Sequence, residues 1–526
     1  YVFRYIGKDT VFMNGQPVRA GQVNILSNGS TLRGSGNTAI YYSDVVGAFL
    51  RSTVHTEFVL DAHGLVHYFD NGTQGLHSLD LVEKSGQMIG LMGASGAGKS
   101  TLLNILNGTM RPSEGRILIN GIDIYQEPDK VEGLIGHISQ DDLLMEELTV
   151  FQNLYFNAKL CFEGLSDFQV TRKVLSTLKD LGLLDIKDLK VGSPMNKKIS
   201  GGQRKRLNIA LELIREPSIL YVDEPTSGLS SRDSENIMDL LKELALKGKL
   251  IFVVIHQPSS DIYKMFDKLM ILDTGGFPVY YGNPIEAISY FKGQINDVTS
   301  EEVECFNCGN VNPEQVFNIL EGQVLDEYGS LTHKRRVSPQ EWNEKYHDNI
   351  TMPETDIDSA GPLPKASSIP NRLRQFKVFV QRDVLSKLAD KQYMIINFLE
   401  TPVLAFILAM LIKYFANDTV GFIFRENDNL PAYIFMCVVV ALFFGLTVSA
   451  EEIIKDARML KRESFLNLSR FSYLASKMMI LFAISAVQTL SFVLVGNWIM
   501  EIQGMNMAYF LVLFSTSCFA NMLGLN

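Results

Sequence analysis

The sequence predicts an α/β P-loop NTPase domain followed by an all-α transmembrane domain, with a small β-rich segment ahead of both. Three observations predict it. The segment GASGAGKS, Gly93 to Ser100, fits the phosphate-loop template G-x4-G-K-[ST] at every fixed position. Residues 61–285 alternate apolar strand-like runs with helical segments, the pattern of a covered, largely parallel sheet. Four long apolar runs fill the last quarter of the chain.

The bulk properties agree. A chain of 526 residues is too long for one core and calls for about three or four domains. The net charge of −10 argues against a nucleic-acid partner. The five cysteines, Cys161, Cys305, Cys308, Cys437 and Cys518, are sparse, which suits a reducing compartment. No secretory signal opens the chain, and its first residue is Tyr1, so the expectation is a sequence that begins inside a longer protein.

Residues 1–60 read as short strands, with Asn14-Gly15 and Asn28-Gly29 as hairpin-type turns. The stretch 11–34 resembles the last strands of a forkhead-associated (FHA) β-sandwich; an unrelated β-hairpin unit is the alternative and the preferred reading. The phosphate loop follows the apolar run 88–92 and opens the helix-like run 101–106, the strand–loop–helix setting the motif needs. Gly93, Gly96 and Gly98 let backbone N–H groups turn inward around a phosphate, with Ser95 and Thr101 as further phosphate ligands. The helix adds its positive dipole end at the same spot. Lys99 reaches the outer phosphates and Ser100 holds Mg²⁺. Further on, the buried-strand run 219–222 ends in Asp223-Glu224. An Asp at such a strand end holds the Mg²⁺ shell, and the adjacent Glu polarises the attacking water.

Between these motifs lies Ile199-Ser200-Gly201-Gly202-Gln203-Arg204-Lys205-Arg206. An LSGGQ-like sequence in this order resembles the signature of ATP-binding cassette (ABC) ATPases. The resemblance implies a composite site, with Ser200, Gly201 and Gly202 contacting the γ-phosphate held by the loop of a second cassette. It further implies that Gln140, in ISQDD, senses Mg²⁺ and signals to the membrane part. His256, in VVIHQPSS, becomes the switch histidine near the γ-phosphate. Phe69 becomes the aromatic that stacks on adenine, with Tyr68 as its rival. Ser230 stands where the family usually carries Asp in the D-loop. Arg204, Lys205 and Arg206 read as a solvated helix face.

GGQRKRLNIALEL, IHQPSSDIYKMFDKLMILDTGG, the Asn312-Pro313 helix start and the basic loop EEIIKDARMLKRESF resemble the G-subfamily, the white/pigment type of half transporter. That type places the cassette before the membrane domain. The resemblance runs from residue 60 to about 525. The family has six spans where four are found here, so the expected protein continues beyond this sequence.

The segments after the cassette follow from composition. Residues 286–370 read as a cassette extension and linker, with 351–370 rich in Pro, Ser and Asp. In 371–392, Leu373, Phe376, Val380, Val384 and Leu388 recur at helical spacing among Arg372, Arg374, Lys377, Arg382 and Lys387, predicting an amphipathic connecting helix at a membrane surface. The transmembrane domain 393–526 has its spans at 393–415, 431–450, 478–500 and 507–525. The loop after the second span holds Lys455, Arg458, Lys461, Arg462, Arg470 and Lys477, while the first loop holds Arg425 as its basic residue and the third has no Lys or Arg. The positive-inside rule then places the cassette and the second loop in the cytoplasm, at the cell (inner) membrane.

Two signals stay open. CFNCG, with Cys305 and Cys308, is half a zinc knuckle; closing it needs four ligands, His333 and His347 are the remaining candidates, and reduced, unliganded cysteines are the preferred reading. Glu400 lies inside the first apolar run, where a carboxylate is expensive. The reading as a whole is an ATP-hydrolysing half transporter, acting as a homodimer with Mg²⁺ and driving export of an unknown substrate. Its rivals are a soluble ABC ATPase acting on DNA or ribosomes and a membrane-anchored regulatory ATPase.

Overall fold

In this computed structural model the described residues are all those other than 8, 14–15, 27–30, 35–38, 43–44, 46–48, 50–57, 132, 194–195, 197, 296–311, 326–330, 350–369, 414–426, 464–467 and 526. The strands are β1 Val2–Arg4, β2 Phe12–Met13, β3 Gln16–Pro17, β4 Val23–Ile25, β5 Thr31–Arg33, β6 Ala39–Tyr41, β7 Val59–Tyr68, β8 Gln74–Lys84, β9 Met88–Gly93, β10 Glu114–Ile119, β11 Ile122–Asp123, β12 Ile135–Ile138, β13 Ile219–Asp223, β14 Leu250–Val254, β15 Lys268–Asp273, β16 Phe277–Gly282, β17 Gln323–Leu325 and β18 Leu331–Arg335. The helices that matter below are α1 Lys99–Leu106, α2 Val150–Cys161, α3 Asp167–Asp180, α4 Gly201–Leu213, α5 Ser231–Leu246, α6 Pro284–Gln294, α7 Pro339–Asn349, α8 Arg372–Ala389, α9 Lys391–Ile412, α10 Leu430–Ala450, α11 Glu452–Glu463, α12 Arg470–Met500 and α13 Asn506–Gly524.

The apolar runs of the cassette become a six-stranded sheet in the order β12-β13-β14-β9-β15-β16. Its first five strands are parallel and β16 closes the edge antiparallel. β9 and β14 are buried along their whole length, as the central strands of a parallel sheet covered on both faces must be. A second, antiparallel sheet runs β11-β10-β7-β8. One core of Leu60, Leu65, Leu81, Leu91, Leu102, Phe252 and Met270 joins the two sheets to α1. The N-terminal segment forms short antiparallel strands, β1 with β4 and β3-β2-β5-β6, in keeping with the expected β-rich unit. Asn14-Gly15, Asn28-Gly29, Cys305 and Cys308 lie outside the described residues.

Chain contacts divide the molecule into two units. The first holds residues 1–142, 173–186 and 199–367; the second holds 143–172, 187–198 and 368–526. This division cuts across the expected 61–285 cassette. The reason lies in packing: Phe156 and Leu160 of α2, with Leu148, share an apolar cluster with Val378 and Phe379 of α8 and Tyr473 of α12. Arg374 of α8 donates to the carbonyls of Glu163 and Leu165, the latter at 2.8 Å.

The four expected spans are the helices α9, α10, α12 and α13, each long and apolar enough to cross a membrane. α12 starts earlier than expected, at Arg470, because Ser469 caps it by accepting from the Ser472 amide. Buried polar residues share the helix contacts with an apolar cluster that includes Tyr433, Phe444, Phe492 and Leu513. Leu411 and Trp498 are 79% and 80% exposed, while Asn397, Thr401, Ser485, Gln488, Ser517 and Asn521 are buried. Lipid rewards no burial of apolar surface between helices, so small and polar residues join the contacts. Gln488 donates to the Asn397 carbonyl at 3.1 Å, and Asn521 to Ser485 Oγ at 2.8 Å. Gly445 of α10 faces Ala520 and the Ser517 carbonyl of α13, where a Cβ would collide. The exposed side of α9 also carries Glu400.

α8 forms where the connecting helix was predicted. Its buried side is Gln375, Val378, Phe379 and Arg382, while the predicted stripe at Leu373, Val384 and Leu388 stays exposed. The buried cations meet acids. Arg382 grips Glu463 with both terminal nitrogens, Lys387 bonds Glu452, and Lys477 Nζ lies 3.1 Å from both Asp383 and Glu452 and 2.8 Å from Asp456.

A separate buried acid marks the cassette core. Glu83 of β8 accepts from Tyr281 Oη and from Lys268 Nζ at 3.1 Å. Burial pushes its carboxyl up to about 7, against the pull of Lys268, with Asp267 adding to the rise. The folded value is raised above the reference of 4.5, so this contribution to stability is complete below about pH 4.5 and is lost as pH climbs through about 7. Glu83→Gln, which is always neutral, should therefore be more stable than the parent at pH 8, by at most about 3 kcal/mol, with the difference closing toward pH 5. Thermal unfolding of both proteins at the two pH values reads it, and a pH-independent gap would refute it.

Candidate nucleotide-binding and hydrolysis site

β9 delivers the phosphate loop at its carboxyl end, where ligands of open parallel sheets bind. Gly98 caps α1 in a left-handed conformation, φ +86°; a Cβ there would lie 2.8 Å from the Gly75 carbonyl and 3.3 Å from Gly276 Cα, so only glycine fits. Lys99 is buried and its Nζ donates to the carbonyls of Gly93 and Ala94, both at 2.8 Å, closing the loop on itself. Burial lowers its pKa, while Glu224 and Asp223 raise it. Gly96 is likewise left-handed, and Ser95, Ser100 and Thr101 are exposed or half-exposed along the loop.

Phe69 reaches this loop through glycine. A Cβ on Gly75 would strike the Phe69 ring, and Gly75 in turn abuts Gly98. Phe69 is held by its amide on the Thr73 carbonyl, 2.9 Å, and meets His67 edge-on. Gly75 therefore lies between the Phe69 ring and Gly98.

Glu224 is the centre of the polar array. Gln140 Nε2 donates to its Oε2 at 2.8 Å, and His256 Nε2 lies 2.8 Å from its Oε1. Residues distant in sequence thus converge on one carboxylate from the ends of β12, β13 and β14. Glu224 has φ +44° and Gln257, beside His256, φ +39°. Such conformations cost on the order of 1–3 kcal/mol in non-glycine residues and gather at functional sites. The Glu224 amide, donating to the Val254 carbonyl at 3.1 Å, pins its backbone. Burial raises the Asp223 pKa, Glu224 adds to the rise, and Lys205, His256 and Lys99 oppose it. The Ser100 hydroxyl, the Asp223 carboxylate and the Gln140 amide are hard oxygen donors of the kind Mg²⁺ takes when phosphates complete its shell. Among the described residues no group of three or more His, Cys, Asp or Glu is placed to hold a metal.

The signature segment starts α4 with a capping box. Ser200 Oγ accepts from the Gln203 amide at 3.2 Å, and Gln203 Oε1 accepts from the Ser200 amide at 2.8 Å. Gly202 lies close under Asp233: a Cβ would sit 2.8 Å from Asp233 Oδ1, so the carboxylate would have to shift. Ser230 caps α5 by accepting from the Asp233 amide at 3.2 Å, and its hydroxyl donates to Asp233 Oδ2 at 2.8 Å. The serine found in place of the usual aspartate is thus a helix cap that aims Asp233 at Gly202. Among the described residues, no hydrogen bond joins Ser200, Gly201 or Gly202 to the phosphate loop.

One expectation is corrected. Arg204 and Lys205 are not a solvated face; they are 5% and 4% exposed. Lys205 Nζ donates to the Gln140 carbonyl at 2.7 Å, and Arg204 Nε is 3.4 Å from Asp142 Oδ2. Arg206 is half-buried and donates to the carbonyls of Gly202 and Leu181. A run of three charges carries no hint of partners sixty residues upstream.

Both parts of the chain are similar to known proteins. Residues 76–227 match the ABC transporter family, and residues 374–525 match the ABC-2 type transporter family; a second ABC-2 type family matches 256–358. The chain is 34% identical to ABC transporter G family member 26 of Arabidopsis thaliana over 51% of its length, which covers 41% of that protein. It is 35% identical to the broad substrate specificity ATP-binding cassette transporter ABCG2 of Mus musculus, over 53% of this chain and 39% of the relative. It is 28% identical to ATP-binding cassette sub-family G member 8 of Homo sapiens, over 68% of this chain and 54% of the relative. The chain therefore spans about half or less of the length of these curated relatives.

Proposed function

We infer, for a chain that belongs to the ABC transporters and carries an ATP-binding cassette ahead of an ABC-2 type membrane domain, that it hydrolyses ATP between two cassettes and uses the closure to drive export of a substrate across the cell membrane. The observation that carries this reading is Glu224, held by Gln140 and His256 next to a phosphate loop. Glu224 is placed to take the proton of an attacking water. His256 and Gln140 fix the carboxylate from either side. Lys99 holds two carbonyl oxygens that phosphate oxygens can replace, so its charge is stored at the site before ligand arrives. Ser100, Asp223 and Gln140 would hold Mg²⁺, which supplies charge neutralisation of the phosphates. Ser200, Gly201 and Gly202, at the N-terminus of α4, are suited to the γ-phosphate of the second cassette, which makes a dimer the working form.

Lys99→Ala should weaken ATP binding by about 10- to 100-fold, the value of a charge-assisted hydrogen bond or two. Equilibrium binding of a fluorescent ATP analogue to the purified protein measures it. Unchanged affinity would remove Lys99 from the phosphate site. ATPase activity in lipid nanodiscs tests the reading as a whole, and a monomer that hydrolyses ATP at the full rate would overturn the two-cassette site.

A further inference from the structure

We propose that Lys205, with Arg204 and Asn208, clamps residues 140–142 and so sets the Gln140 side chain against Glu224, making Lys205 a positioning residue for hydrolysis. The proposal rests on the ATPase reading above and deepens it.

Three successive residues are each held from one helix. Lys205 Nζ donates to the Gln140 carbonyl at 2.7 Å, Asn208 Nδ2 to the Asp141 carbonyl at 3.4 Å, and Arg204 Nε faces Asp142 Oδ2 at 3.4 Å. Arg204, Lys205 and Asn208 sit one, three and four residues apart, on one face of α4. All three are buried. Burying an ammonium group is expensive, and an apolar side chain would fill the same space without that cost. The structure instead places the charge on a main-chain carbonyl, the one atom that fixes the residue without occupying its side chain. The Gln140 amide is thereby free to reach Glu224 at 2.8 Å.

The place in the chain gives the clamp its use. Residues 140–142 are the last of the first unit before the chain first leaves it at Leu143, and Ile199 is where it re-enters for the last time, after a passage over 173–186. α4 begins two residues later. The outgoing and returning segments are thus tied to each other by α4 itself. At its N-terminus α4 carries Ser200, Gly201 and Gly202. A displacement of α4 by nucleotide on a second cassette moves the carbonyl of Gln140, and with it the side chain that holds Glu224. Lys205 also lies within the field of Asp142, Asp223, Asp141 and Glu224, which oppose the lowering of its pKa by burial.

The test uses the full chain in nanodiscs. Lys205→Met keeps length and removes the donor. Its kcat for ATP should fall at least about 10-fold while KM stays within about 3-fold, and Lys205→Arg should recover a substantial part, since a donor is restored. In the absence of nucleotide, hydrogen exchange of the peptide covering 138–143 should quicken at least about 10-fold in Lys205→Met, with exchange in α5 unchanged. Parental kcat together with unchanged exchange overturns the clamp, as does a loss confined to KM. If Lys205→Met does not fold, Lys205→Gln, too short to reach the carbonyl, carries the same two readouts. A parent protein with no ATPase activity sinks the proposed function alone, since the exchange comparison still decides the clamp.

Discussion

Glu224→Gln should lower ATP turnover by about 100- to 10,000-fold while ATP remains bound, the loss expected when a positioned general base is removed. The amide keeps the shape of the carboxylate and can still accept from Gln140. It cannot take a proton from water. The strained backbone at Glu224, φ +44°, is fixed by its bond to Val254 and should survive the change. Two filled cassettes that cannot hydrolyse should then stay closed, so the variant should retain ATP through gel filtration and run as a dimer. Phosphate release and retained nucleotide, measured on the same sample, check both halves. Turnover at the parental rate would show that another group accepts the proton.

Lys477→Met should destabilise the membrane domain by roughly 3–5 kcal/mol, the usual result of removing one partner from a buried ion cluster. Lys477 Nζ stands between Asp383, Glu452 and Asp456, and all four side chains are largely withdrawn from water. Without the cation three carboxylates face one another. Their repulsion acts between α8 and α11 and removes the tie of both to α12. Thermal unfolding in detergent should show a midpoint lower by roughly 10 °C or more, and adding Asp456→Asn should recover part of it. A midpoint equal to the parent's would mean the cluster contributes no net stability.

The sequence made the periodic and the ordered features readable. The phosphate loop, the Asp223-Glu224 strand end and the four spans are local patterns, and each is found as an element at or near its expected bounds. The convergence of Gln140, Glu224 and His256 was reached through motif order, because no periodicity links residues 84 and 32 positions apart. Burial of charge was not readable. Lys205, Arg382 and Lys477 look like surface residues in composition, and their partners come from other elements. The direction in which α8 faces was hidden for a related reason. Its apolar stripe suggested a side lying on a membrane surface, and that stripe stays exposed, while the side that packs is marked by Gln375, Val378, Phe379 and Arg382. The role of Ser230 was hidden as well, since a departure from a family pattern does not announce the helix cap that replaces it.

The packing of α2 against α8 bears on how such proteins can be recombined. Engineers who graft the engine of one pump onto the channel of another cut where the sequence motifs begin and end. Here that cut would carry residues 143–172 away with the donor engine and leave Val378, Phe379 and Arg374 facing a foreign surface. A hybrid that keeps 143–172 and 187–198 from the channel's own parent should fold and run, and one spliced at residues 61 and 285 should burn fuel without moving cargo.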